Sequence, residues 1–174
     1  MKYNNFIQEL LKFDWQYDPI DNNIEINLET IANGKLLKTN ENLLGFVKSF
    51  KTLANEEDNV WFLSIEDYAK KINEDGFAWN EFELDSMEYA EDDEQKASVT
   101  DFWNNHLPFM MSVKNGYAYV AIVLNGETKG SIVSGSEPEY EEPVTISSSL
   151  EEFFDKYILV LKNELDLSSL KILS

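Results

Sequence analysis

The chain contains no cysteine, and all 14 of its basic residues are lysines. Without thiols there can be no disulfide framework, zinc–thiolate site or thiol nucleophile, although the absence suits any redox compartment. Without arginine the chain lacks the planar fork that reads phosphate and guanine through paired hydrogen bonds. Positive charge is scarce altogether, since 33 Asp and Glu against 14 Lys leave a formal charge of −19. Such a molecule repels nucleic acid and anionic lipid at a distance and draws in basic partners. The expected partner is therefore a basic macromolecule, with no nucleic acid and no membrane.

Long apolar runs are missing too, and none approaches the roughly 18 residues of a membrane helix. The opening residues, Met1 to Glu9, are polar where a secretory signal needs an apolar stretch. The expected location is cytoplasmic. The single histidine, His106, stands two residues before Pro108, with neither a cysteine nor a Gly-x-Ser-x-Gly elbow to serve as nucleophile. It reads as a surface or strand-end residue. The richest carboxylate cluster, Glu88, Glu91, Asp92, Asp93 and Glu94, lacks the glycine and the alternation of a calcium loop, and reads as a solvated helix flank or loop. None of the seven glycines builds a phosphate-binding motif. With 33 carboxylates some pair will always meet the spacing for glycoside hydrolysis, so abundance removes that signal. No catalytic residue, metal site or cofactor is expected, and the chain is not read as an enzyme.

What is present is core. Hydrophobic residues make up 43% of the chain and 23 residues are aromatic, which is far from the composition of disordered acidic proteins. The length suits a single domain over 1–174. Phe6, Ile7, Leu10, Leu11 and Phe13 predict a first amphipathic helix ending before Pro19, and Ile24, Ile26 and Leu28 predict a short strand before a turn at Asn33-Gly34. Leu43, Leu44, Val47, Phe50 and Leu53 predict a helix over 40–54 capped by Thr39. Val60 to Leu63 suits a buried strand, and Ser64 opens a helix carrying Ile65, Tyr68, Ala69 and Ile72 toward Gly76. A loop or short strand and then a helix into Trp103 are expected over 77–106.

The C-terminal half is more legible. Alternation from Leu107 to Val113, the pair Asn115-Gly116, eight apolar residues from Tyr117 to Leu124, the pair Asn125-Gly126 and a run from Thr128 to Ser134 predict a three-stranded antiparallel meander. The loop from Gly135 to Pro143 is acidic and Pro-containing, so it is expected to be exposed. Ser149 and Glu152 have the spacing of a capping box, and Leu150, Phe153, Phe154, Tyr157, Ile158 and Leu161 mark one face of a final helix. The class is α+β, an antiparallel sheet packed by several α-helices.

Several of these segments resemble the SMI1/KNR4 family, also called the SUKH superfamily. They are Leu107-Pro108-Phe109, Asn115-Gly116-Tyr117-Ala118-Tyr119-Val120-Ala121, Lys129-Gly130-Ser131-Ile132-Val133 and Ser148-Ser149-Leu150-Glu151-Glu152-Phe153-Phe154. Gly45-Phe46-Val47 and the stretch from Asn59 to Tyr68 are similar to that family's middle section, so the resemblance covers residues 40–160. The family's usual Leu-Pro followed by Tyr in the first third is not found here. The resemblance implies an SMI1/KNR4-like α+β fold and the role of a bacterial immunity protein that neutralises a cognate polymorphic toxin, often a nuclease.

A nuclease must present basic groups to phosphates, and an inhibitor of charge −19 is steered toward such a surface. The competing readings are an intracellular adaptor of the same fold and, more remotely, a carboxylate-dependent hydrolase. Two segments are expected to meet the partner: Trp79, Glu88, Tyr89, Asp92, Asp93 and Glu94, and the loop residues Glu137, Glu139, Tyr140, Glu141 and Glu142. Trp79 is singled out among four tryptophans because its surroundings are otherwise acidic.

Overall fold

The computed structural model describes residues 1–20, 26–70 and 77–171. Seven strands follow one another in chain order across one antiparallel sheet: β1 (Gln16–Pro19), β2 (Phe50–Ala54), β3 (Val60–Phe62), β4 (His106–Ser112), β5 (Ala118–Val123), β6 (Ile132–Ser136) and β7 (Val144–Ser147). Seven α-helices accompany them among the described residues: α1 (Tyr3–Leu10), α2 (Glu41–Val47), α3 (Ile65–Ala69), α4 (Glu81–Tyr89), α5 (Asp93–Asn105), α6 (Leu150–Leu161) and α7 (Ser168–Lys171). The fold is thus α+β with a meander sheet, the class that alternation and Asn-Gly turns predict.

Strand β5 is buried at every position and lies between β4 and β6, as an unbroken apolar run requires. Trp61, Met111 and Tyr119 are successive cross-strand neighbours, and so are Phe62, Met110 and Val120, which places the two rows on opposite faces of the sheet. Helices α1, α2 and α6 cover the second face with aromatic rings. Phe6 stacks on Phe154 at 4.1 Å and meets Phe62 edge-on at 5.6 Å, while Phe109 meets Phe153 edge-on at 5.3 Å. Each such ring, fully buried, is worth about 1.5–3 kcal/mol. On the first face Tyr119 packs against Trp103 of α5 at 5.1 Å and Phe82 of α4 at 5.9 Å.

Gly135 is paired with Tyr119 across the β5–β6 ladder, and a Cβ there would lie 2.5 Å from the tyrosine hydroxyl. The ring therefore lies across β6 where only glycine leaves room. From that position Tyr119 donates to the carbonyl of Tyr140 at 2.5 Å, which ties the 137–142 loop to the sheet.

Several sequence expectations are corrected. The helix over 40–54 stops at Val47, because Ser49 turns back and donates from both its backbone N–H and its hydroxyl to Phe46. Phe50–Ala54 then becomes β2, paired with the unforeseen edge strand β1 through Tyr17 opposite Leu53. The N-cap is Asn40, which accepts from the Leu43 N–H at 2.8 Å, whereas Thr39 donates its hydroxyl to Leu36. Ile26 precedes a turn closed by Asn27 and Leu28 lies within it, so the two form no strand, and Ile24, Ile72 and Gly76 lie outside the described residues. Strand β6 starts at Ile132, later than Thr128, because residues 126–130 close a turn in which the Gly130 N–H reaches the Val123 carbonyl. Ser149 caps α6 as expected, but the Glu152 carboxylate reaches back to Ser148 and not to the cap residue. The complete capping box belongs to Ser64 and Asp67 at α3.

Candidate functional site

Helix α4 ends in Asp85, Ser86 and Tyr89, with Asp85 and Tyr89 four apart and so on one side of the helix. Opposite them runs the loop leaving β6, Glu137 to Glu141. Between the two lies a groove of about 620 Å³ whose lining includes Asp85, Tyr89, Tyr117, Glu137, Tyr140 and Glu141 and, among the described residues, contains no lysine. Of the two segments expected to meet a partner, some fifty residues apart, Tyr89 of the first and Glu137, Tyr140 and Glu141 of the second share one concavity.

The groove's acidic groups are anchored from below. Glu141 Oε1 accepts the indole N–H of Trp103 at 2.7 Å, and Trp103 is itself 1% exposed. Glu137 Oε1 accepts the Tyr117 N–H at 3.2 Å, while the Glu137 N–H donates to the Tyr117 carbonyl. Its carboxylate lies against Gly116, where φ is +95° and a Cβ would come within 2.6 Å of the carboxylate oxygen. The Asn115-Gly116 turn therefore serves the site as well as the hairpin. The peptide bond between Glu137 and Pro138 is cis.

Tyr140 is 3% exposed, packed on Phe82 at a centroid distance of 5.0 Å. Its buried hydroxyl completes no hydrogen bond, and the Ser86 hydroxyl beside the groove is likewise buried without a partner. Burial raises the pKa of the Tyr140 hydroxyl above 10.0, and the charges of Asp85 and Glu137 raise it further. Asp85 approaches that hydroxyl without completing the bond. A buried polar group without a partner costs about 1–3 kcal/mol, which a ligand that satisfied it would recover.

The remaining expected contact residues separate. Trp79 is 6% exposed and forms an interior wall, with its ring 6.3 Å from Tyr68 and 5.1 Å beneath the Lys35 ammonium. The expectation that it stands on the surface is corrected, because a buried lysine needs it: Lys35 is 3% exposed and donates to the Trp103 carbonyl at 2.8 Å, with Glu83 at 3.7 Å. Tyr140, expected on an exposed loop, is likewise buried, since the loop folds inward to place its ring on Phe82. Glu139 and Glu142 are exposed and line a different concavity beside Val144 and Ser168. Glu88 is exposed at the end of α4. Asp92 is the N-cap of α5, accepting from the Gln95 N–H at 2.8 Å, and Asp93 and Glu94 occupy its first turn, where negative charge favours the helix dipole.

Asp85, Ser86 and Tyr117 were not foreseen. The Asp85–Tyr89 spacing on one helix carried a signal, but only strand pairing brings Tyr117 beside Glu137. His106 opens β4, with Nδ1 2.8 Å from the Phe102 carbonyl and its ring stacked on Phe102 at 4.0 Å. Burial lowers its pKa from 6.5. No group of acidic, histidine or cysteine side chains among the described residues has the arrangement of a metal site, and no helix among them is long and apolar enough to cross a membrane.

Comparison with protein-family models, with curated proteins and with solved structures finds no match for this chain.

Proposed function

We propose that this chain is an immunity protein that binds and neutralises a cognate bacterial toxin, a basic nuclease domain, by direct contact through the groove between α4 and the 137–141 loop. The observation that carries this reading is the convergence of Asp85, Glu137 and Glu141 on one concavity with no lysine among the described residues of its lining, in a chain of charge −19. The sequence resemblance to the SMI1/KNR4 family and the α+β meander fold support it. Long-range attraction brings a basic surface in quickly, and the groove offers that surface a fixed acidic receptor. The reading assigns binding and no catalysis to the chain, and it places the protein in the cytoplasm, where an incoming nuclease would act.

The test is calorimetric titration into the toxin-like domain encoded beside this gene, at low and high salt. Tight binding that weakens with salt, together with loss of nuclease activity in the complex, is expected. Absence of heat and of co-elution would remove the immunity role.

A further inference from the structure

The groove has a chemistry finer than net charge. Its carboxylates stand on two walls, Asp85 on α4 and Glu137 and Glu141 on the loop. The two loop carboxylates are each held through one oxygen by a donor of the protein, Tyr117 N–H or Trp103 Nε1–H, so their positions are set before a ligand arrives. Between the walls lies the nine-tenths-buried Tyr140, whose hydroxyl completes no hydrogen bond in a groove that contains no lysine among the described residues. The rim is aromatic: Tyr89 is 76% exposed and Tyr117 43%.

A ligand that answers all of these groups must carry positive charge, donate hydrogen bonds in several directions and lie flat against rings. An ammonium is a compact, strongly hydrated point charge, whereas a guanidinium has five donors in one plane and stacks on aromatic faces. The chain has no arginine of its own to fill the space.

We propose that the groove is a receptor for one arginine side chain of the partner, with Asp85 and Glu137 pairing with the guanidinium, the Tyr140 hydroxyl accepting one of its N–H groups, and Tyr89 and Tyr117 flanking its plane. This rests on the binding role proposed above and names the group that the groove selects. For a nuclease, that group is one of those that hold phosphate, so its capture would itself disable the toxin.

The probes are N-acetyl-arginine methylamide and its lysine counterpart, titrated into the intact protein while the Trp103 indole N–H resonance is followed. Saturable displacement by the arginine amide is expected, about tenfold tighter than by lysine, as planar paired recognition would give. Tyr140→Phe, which removes only the hydroxyl, should weaken arginine binding about threefold, and Asp85→Asn about tenfold, with melting temperatures showing that both variants fold. Equal affinities for the two amides, no saturable displacement, or indifference to both substitutions would overturn the receptor. Toxin binding that persists unchanged in both variants would overturn it too, while leaving the immunity role standing. Arginine selectivity in a protein that the toxin domain ignores would uphold the receptor and overturn the immunity role.

Discussion

The indole N–H of Trp103 donates to Glu141 Oε1 at 2.7 Å, joining the interior of α5 to the loop that forms one wall of the groove. Glu141→Ala would leave that donor unpaired on a side chain 1% exposed. We expect a loss of about 1–3 kcal/mol in urea unfolding for Glu141→Ala, and a smaller loss for Glu141→Gln, which keeps an acceptor. Equal losses for the two variants would show that the bond contributes nothing to folding.

Gly135→Ala would drive a Cβ to within 2.6 Å of the Tyr119 ring carbons. Overpacking of this kind costs about 1–3 kcal/mol, and more where backbone must move. Replacing Tyr119 by Leu in the same chain should remove the clash, so the double variant should be more stable than the sum of the two single losses. Simple additivity in urea unfolding would contradict the geometry.

Asp92 separates structural from functional acidity. As the N-cap of α5 it should cost about 1 kcal/mol when changed to Ala, without altering the affinity for a basic partner, because it does not line the groove. Asp85→Asn should do the reverse. Thermal melts and calorimetric titration of the two variants side by side test both signs.

Alkaline pH should unfold the protein through its buried tyrosines. Tyr68, Tyr119, Tyr140 and Tyr157 all have pKa values raised above 10.0, chiefly by burial, with Glu141 adding to the shift at Tyr119. Above that value the unfolded chain releases protons that the folded chain keeps, so the stability they contribute is complete below pH 10 and falls as pH rises past it. Lys35 opposes them: burial lowers its pKa from 10.5, and its penalty is relieved as pH rises toward that value. Four groups outweigh one. Tyr140→Phe should move the alkaline midpoint, read by circular dichroism, to higher pH and, by removing the unpartnered hydroxyl, raise stability at neutrality by about 1–3 kcal/mol, and an unmoved midpoint would refute the assignment.

Salt should act with opposite signs on folding and on binding. A charge of −19 repels itself, and at about 0.5 M salt screening confines that repulsion to a few ångströms. The melting temperature should therefore rise with salt while affinity for a basic partner falls. A melting temperature that falls with salt would mean that attractive pairs, such as Lys156 with Glu152, outweigh the net repulsion.

The sequence by itself determined the class of fold, most of the C-terminal half and the acidity of the surface. Alternation, Asn-Gly turns and the face from Leu150 to Leu161 are local signals, and the meander from β4 to β6 and helix α6 follow from them. The split of 40–54 into α2 and β2 was decided by tertiary structure, because five apolar residues at helical spacing do not reveal that β1 is available to pair. The same holds for the groove. The acidic loop and the helix before it were legible as charged segments, but charge does not say which residues turn inward. Burial of Tyr140 on Phe82, of Trp79 beneath Lys35 and of the Trp103 indole against Glu141 required contacts between residues far apart in the chain. Only the assembled sheet, with helices on both faces, set Asp85 and Tyr117 beside Glu137 and Glu141, since strand pairing and helix packing, not local preference, fix which distant side chains share one cavity.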